Sequence, residues 1–222
     1  MIHVFFNILG GRLESKRFNQ LLKQLPPIFQ AQILKFKRWQ EMQRSLIAKI
    51  LLIKGLKQMG LTSYLLSDLK LTEFKRPYFD SLIDFNISHS ADYIICAITK
   101  TGKIGVDIEA IQNIPILSFE DQFSSKEWDS ILQGENVLQS FYILWTQKEA
   151  FLKAIGTGLY LPLDKITISD NKIDWNNEEW FLHQIKIDDR YVSHLSTNIL
   201  SPTIVVEKMN LNFEGDMKYI KF

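Results

Sequence analysis

Apolar positions recur every three or four residues through Leu138, Phe141, Trp145, Leu152 and Ile155. That period predicts a helix over FYILWTQKEAFLKAIGTGL, Phe141–Leu159, stopped at Gly156 as a left-handed C-terminal cap would stop it. Lys148 and Glu149 fall inside the apolar arc of this helix, where charge is costly unless it meets a partner or a cleft. A Glu149–Lys153 pair at i,i+4 is one way to satisfy part of it. Such a pair explains neither Lys148 nor the place of either charge in the stripe.

Elsewhere the period changes from segment to segment. Ile2–Leu9 reads as a strand ended by Gly10-Gly11. Two or three helices follow between Ser15 and Met59, broken at Pro26-Pro27. The last of these, Trp39–Lys57, carries SLIAKILLI, apolar nearly all round, and is predicted to be a buried scaffold helix. KRPYF is extended, because proline disfavours helix before it. Then come FNIS, a polar break at His89–Asp92, the strand YIICAIT, a hairpin turn over Thr99–Lys103, and the strand IGVDIEAI. Gln112–Gln122 has no clear period and is predicted to be a loop. Ser124–Glu127 opens a short helix closed by Gly134, and the long helix follows. Beyond Lys165 a meander is predicted, with strands KITIS, WFLHQIKI, YVSHLST and TIVVEKM and a turn at Asp188-Asp189.

The element order predicts an α+β fold with a pseudo-twofold arrangement of two similar halves. Each half is a small, mostly antiparallel sheet packed with helices. The halves are 1–103 and 104–222, joined near Gly102–Gly105.

Composition narrows the function classes. A net charge of +1 over 222 residues gives bulk electrostatics no polyanion to select, so no nucleic-acid partner is expected. The one cysteine, Cys96, rules out an intrachain disulfide, fits a reducing compartment, and sits in an apolar run as a buried, inert thiol. No apolar run approaches the ~20 residues that span a bilayer, and the start lacks a basic n-region and a cleavage-like site. The expectation is a cytoplasmic protein without a membrane partner.

In Val106-Asp107-Ile108-Glu109 the side chains alternate, so the two carboxylates share one face. Neighbouring carboxylates raise each other's pKa unless a cation intervenes, and oxygen-only ligands suit Mg²⁺ or Mn²⁺. The plainer alternative is a solvated acidic strand. Glu127 fits a capping box with Ser124, and becomes a third oxygen ligand only if that helix start packs over the acidic strand. Ser88 and His89 sit where a strand end can present donors to a phosphate. The basic run Lys35, Lys37, Arg38, Arg44, Lys49, Lys54 and Lys57 is either a solvated face or an anion site. No zinc spacing, nucleophile elbow, Walker loop or dinucleotide fingerprint is present. The set as a whole has what metal-assisted phosphoryl transfer needs.

The motifs FNISHS, IGVDIE, FSSKEW and LWTQKEAFLKAIGTGL, in this order, resemble the 4′-phosphopantetheinyl transferases, and among them the surfactin-type branch with two halves in one chain. The resemblance runs from Arg76 to Leu159 and implies transfer of the phosphopantetheine arm of coenzyme A to a serine of an acyl or peptidyl carrier protein, releasing adenosine 3′,5′-bisphosphate. It implies Asp107, Glu109 and Glu127 as Mg²⁺ ligands and Glu149 as general base. Lys153, with Lys148 nearby, would neutralise charge. Ser88, His89 and Arg44 would hold coenzyme A phosphates, and Arg76-Pro77 would border the adenine. The chain departs from the family in having Arg76 where lysine is common, and Ile28 and Ala31 where relatives carry 3′-phosphate lysines. Ile114, Ile116 and Leu117 are candidate carrier contacts. Two other classes compete: a Mg²⁺-dependent hydrolase of a nucleotide pyrophosphate, and a non-catalytic carrier or coenzyme A binding module.

Overall fold

A computed structural model describes residues 1–211, so the last eleven positions of the expected second half, 212–222, lie outside the described residues. The first sheet has the order β10-β1-β5-β4, built from β1 (Ile2–Ile8), β4 (Asp84–Ser90), β5 (Tyr93–Thr99) and β10 (Ile204–Lys208). The second has the order β6-β9-β8-β7, from β6 (Ile104–Ala110), β7 (Lys172–Trp175), β8 (Glu178–Gln184) and β9 (Tyr191–Thr197). A two-stranded hairpin, β2 (Lys70–Leu71) with β3 (Pro77–Tyr78), stands apart. The five α-helices among the described residues are α1 (Ser15–Leu22), α2 (Pro27–Leu34), α3 (Trp39–Gln58), α4 (Ser125–Gln133) and α5 (Val137–Ile155). The fold is α+β, two small sheets packed with helices.

Burial explains the layering. Alternate residues of β1 and β5 point to opposite faces. Phe5, Ile94, Cys96 and Ile98 pack on Leu51 and Leu52 of α3, while Ile2, Val4, Ile95 and Ala97 pack on Ile104, Val106, Ile108 and Leu195 of the second sheet. Cys96 is fully buried, and burial pushes its thiol well above the usual range. On the far side of the second sheet, Phe151 and Leu152 of α5 meet Ile173, Trp180 and Leu182.

Among the described residues β6 is an edge strand, paired only with β9, so alternate N–H groups on its other edge need acceptors. They come from side chains of β4. Asp84 Oδ2 accepts from Ile104 N at 2.8 Å, Asn86 Oδ1 from Val106 N at 3.0 Å, and Ser90 Oγ from Ala110 N at 3.0 Å. Three of the four alternating polar residues of β4 serve these groups, the fourth, Ser88, bonds the Asp107 side chain, and the acidic strand is held in register against the first sheet.

Several elements differ from the sequence reading. Thr99–Lys103 is a crossover and not a hairpin turn, because β5 pairs with β1 and β4 while β6 pairs with β9. The hairpin is the preceding one, closed by Ala91-Asp92 with Ala91 at φ 45°. KITIS is not a strand; KIDW, with Ile173 buried, takes that place in the sheet. The stretch 112–122 ends in a 3₁₀ turn over Ile116–Gln122, where Ile114 and Ile116 pack against Phe123 and Phe141 while the Leu117 side chain is exposed. The last described strand leaves the meander: β10 runs parallel to β1, pairing Ile2 with Ile204.

Candidate active site

α5 forms because its apolar stripe has a core to face, and it ends at Gly156, which takes φ 77° as the left-handed cap. Its seat on β6 is set by small residues. A Cβ on Gly105 would lie 2.0 Å from the Ala150 carbonyl oxygen and 2.3 Å from the Ala154 nitrogen, so strand and helix backbones touch there. Ala150 and Ala154 are one turn apart, and Glu149 and Lys153, each one position earlier, come to the acidic strand beside that contact.

A cleft of about 300 Å³ opens there, lined by Ile87, Ser88, His89, Asp107, Glu109, Trp145, Glu149 and Lys153. Lys153 Nζ lies 2.6 Å from Asp107 Oδ1 and donates to Ser88 Oγ at 2.9 Å, while Ser88 Oγ itself donates to Asp107 Oδ1 at 2.8 Å. The lysine therefore chooses Asp107 over Glu149, which has no ion-pair partner among the described residues. Ser90 Oγ donates to Glu109 Oε2 at 2.7 Å. Trp145 stacks on Phe141 and meets Phe119 edge-on, which fixes its ring at the cleft wall.

The electrostatics follow from crowding acids under partial burial. Burial pushes Glu109 up to about 7, and the neighbouring charges of Asp107 and Glu149 push the same way. Glu149 is raised by burial and by Asp107, with Lys153 pulling against them. His89 is lowered by desolvation and then by the positive charge of Arg44. Asp107 is almost fully buried, and its Oδ2 has no hydrogen-bond partner among the described residues. An orphaned carboxylate oxygen beside a second carboxylate held near neutrality is what a divalent cation would relieve.

Two family models match this chain: the 4′-phosphopantetheinyl transferase superfamily over residues 103–204, and the 4′-phosphopantetheinyl transferase N-terminal family over residues 13–101. The 4′-phosphopantetheinyl transferase gsp of Aneurinibacillus migulanus is 31% identical over 174 residues, 78% of this chain and 73% of that one. The chain belongs to the 4′-phosphopantetheinyl transferase superfamily. The Sfp transferase of Bacillus subtilis is 38% identical over 108 residues, 46% of this chain and 48% of its own, and the enzyme is of this surfactin type. The crystal structure of Thermotoga maritima holo-[acyl-carrier-protein] synthase overlaps 43% of this chain and 61% of that one, with a TM-score of 0.34 and 18% identity.

Five residues of the transferase singled out from its sequence do not line this cleft: Lys148, Glu127, Arg44, Arg76 and Pro77. Lys148 is wholly buried; its Nζ donates to Glu127 Oε2 at 2.7 Å and to the Leu163 carbonyl at 2.9 Å, and lies 5.1 Å from the Phe123 ring centre. Glu127 closes the capping box of α4 with Ser124 and pairs with Lys148, and its Oε1 is buried with no partner among the described residues. Among the described residues no three His, Cys, Asp or Glu side chains are gathered to hold a metal by themselves. Arg44, on α3, donates from Nε to the Ala91 carbonyl at 2.8 Å, pinning the hairpin turn that carries His89. Arg76 turns its guanidinium inward onto Asp84, and Pro77 begins β3.

Sequence reasoning missed Ser90, Asn86 and Asp84 as supports of the acidic strand. The signal was there: polar residues at 84, 86, 88 and 90, at strand period, against apolar Phe85 and Ile87.

Proposed function

We propose that this chain transfers the 4′-phosphopantetheine arm of coenzyme A to the serine hydroxyl of an apo acyl or peptidyl carrier protein, and that it acts as a monomer in the cytoplasm. The observation that carries the reading is the convergence of Glu149, Asp107, Glu109, Lys153, Ser88 and His89 on one cleft. Burial and the charge of Asp107 raise the Glu149 pKa, and no cation pairs with it among the described residues, which makes it a stronger base than a solvated carboxylate. In this scheme it takes the proton of the carrier serine, directly or through a water. The serine oxygen then bonds to the phosphorus that carries the pantetheine arm, and the bond to the leaving adenosine 3′,5′-bisphosphate breaks.

Asp107 and Glu109 are the residues that would hold Mg²⁺ or Mn²⁺; Glu127, proposed as the third oxygen, lies outside the cleft with Oε2 on Lys148 and only Oε1 to offer. The orphaned Oδ2 of Asp107 and the raised pKa of Glu109 fit that group. When bound, the cation would offset charge on the diphosphate. Lys153 is already positioned by Asp107 and Ser88, and its partly exposed ammonium faces the same space to neutralise the leaving group. Ser88, His89 and Arg44 are proposed to hold coenzyme A phosphates. Pro77 and the backbone at Arg76 are proposed to border the adenine. Leu117, exposed beyond the acidic strand, is a proposed carrier contact. No helix among the described residues is long and apolar enough to cross a membrane.

The test is incubation with coenzyme A, Mg²⁺ and a panel of apo acyl and peptidyl carriers, read by intact mass. A phosphopantetheine-sized gain on at least one carrier is expected. Release of phosphopantetheine with no gain on any carrier would favour the pyrophosphate hydrolase instead, and binding without turnover would favour a non-catalytic module.

A further inference from the structure

Arg76 gathers four segments of the chain onto one guanidinium. Its Nη1 and Nη2 grip Asp84 at 2.9 and 2.8 Å, Nη2 also reaches the Ile104 carbonyl at 3.0 Å, and Nε donates to the Lys153 carbonyl at 2.8 Å. The first acceptor begins β4, the second begins β6, and the third lies in the last turn of α5. The side chain is 9% exposed and Asp84 only 2%.

Each acceptor needs this cation. Asp84 is a buried carboxylate, which persists only if paired and hydrogen-bonded. Its Oδ2 also accepts from Ile104 N, so the clamp and the first rung between β4 and β6 share one atom. The Lys153 carbonyl is among the last-turn acceptors that a helix cannot satisfy internally, at the end where a positive charge is favoured. Gly156 adds a steric match: a Cβ there would lie 2.7 Å from Arg76 Cδ, so the arginine stem fills the space the glycine leaves. A planar fork can serve these directions at once, and a lysine ammonium cannot.

We infer that Arg76 is a positioning residue for the transfer: through its clamp on Asp84, Ile104 and the Lys153 carbonyl it sets the end of α5, and so the Lys153 ammonium, against Ser88 and Asp107. The inference rests on the proposed transfer reaction for its kinetic consequence. Its guanidinium is spent on the protein, so its charge does not hold the nucleotide.

The test compares Arg76→Lys, Arg76→Ala and the wild type in the full chain. A loosened helix end misplaces Lys153, and a displacement near 1 Å costs up to about 100-fold in rate. The expected result is therefore a drop of about tenfold or more in kcat with the affinity for coenzyme A, measured by calorimetry, essentially unchanged. Free guanidinium, kept below unfolding concentrations, should restore part of the Arg76→Ala rate. Weaker coenzyme A binding with kcat retained would overturn the inference in favour of a ligand contact. A lowered melting temperature with full kcat in the folded protein would also overturn it, leaving a merely structural clamp. A second readout does not depend on turnover: amide hydrogen exchange over residues 150–158 should accelerate in Arg76→Lys while residues 125–133 are unchanged. If the wild type modifies no carrier, the transfer reading fails and this exchange result alone decides the clamp. If Arg76→Ala does not fold, Arg76→Lys carries both readouts.

Discussion

Lys148 holds its ammonium 2.7 Å from one oxygen of Glu127, completely out of solvent, at the point where α5 crosses the start of α4. Burial pulls the lysine pKa down, and the hydrogen bond and charge of Glu127 pull it back up. Removing one partner of such a pair leaves an uncompensated buried charge. Lys148→Met should therefore cost roughly 3 kcal/mol or more in urea unfolding. Lys148→Met combined with Glu127→Leu should recover most of that loss. Additive losses in the double variant would show that the two side chains act independently.

Glu149 makes the opposite prediction for stability. Its carboxylate is held above the usual range by burial and by Asp107, so the folded state disfavours its charge. Glu149→Gln removes that charge and should leave the melting temperature at pH 8 unchanged or higher. If Glu149 is the general base, kcat falls by about 10²–10⁴-fold in the same variant. A stable variant with wild-type turnover would remove Glu149 from that role.

The acidic strand and the helix facing it were legible because their periods are unambiguous: two for Asp107 and Glu109, three to four for Phe141 through Ile155. Partner choice was not. Lys153 pairs with Asp107 and not with Glu149 because Gly105 lets β6 approach the α5 backbone at Ala150 and Ala154, a tertiary contact that no local period encodes. The same holds for Lys148, which was correctly placed in the apolar arc but whose partner comes from another helix. The return of β10 beside β1 is a parallel pairing between residues some two hundred positions apart, invisible to any local pattern. Polar alternation in β4 was visible, yet only its last members were read, as an anion-binding turn. A polar strand face in an apolar core is a request for unpaired backbone groups nearby, and the edge of β6 supplies them.

His194 gives a pH prediction with a definite sign. It is buried, its Nδ1 lies 2.8 Å from Thr146 Oγ1, and burial pushes its pKa down to about 4. In the unfolded chain a histidine takes up its proton near pH ~6.5. Between those values the unfolded state binds the extra proton, so this residue's contribution to stability is complete above about pH 6.5 and is lost as pH falls toward 4. Glu109, raised to about 7, works against it, since its stabilising share shrinks as pH rises from ~4.5 toward 7. The useful measurement is therefore a difference. The gap between wild type and His194→Gln should change with pH across that window, with wild type losing more as the solution is acidified. A gap that stays constant would show that His194 titrates normally in the fold.

Gly105 is where the site is most exposed to a single methyl group. The added Cβ of Gly105→Ala would meet the Ala150 carbonyl oxygen and the Ala154 amide nitrogen, both backbone atoms of a helix that cannot move aside as a side chain does. Trimming Ala150 or Ala154 to glycine would not remove either atom, so no second-site deletion relieves the clash. The strand must separate from α5, and Asp107 would then lose its 2.6 Å contact with Lys153. The expected cost is about 3 kcal/mol or more in urea unfolding, at the upper end of overpacking penalties, with transfer activity lost in parallel. Gly10→Ala is the matched control. A Cβ there meets nothing within 4 Å, and its effect should stay within ~0.5 kcal/mol. Similar stabilities for the two variants would mean that α5 does not rest on β6 at this point, and the cleft between Glu149, Lys153 and the acidic strand would lose its geometric basis.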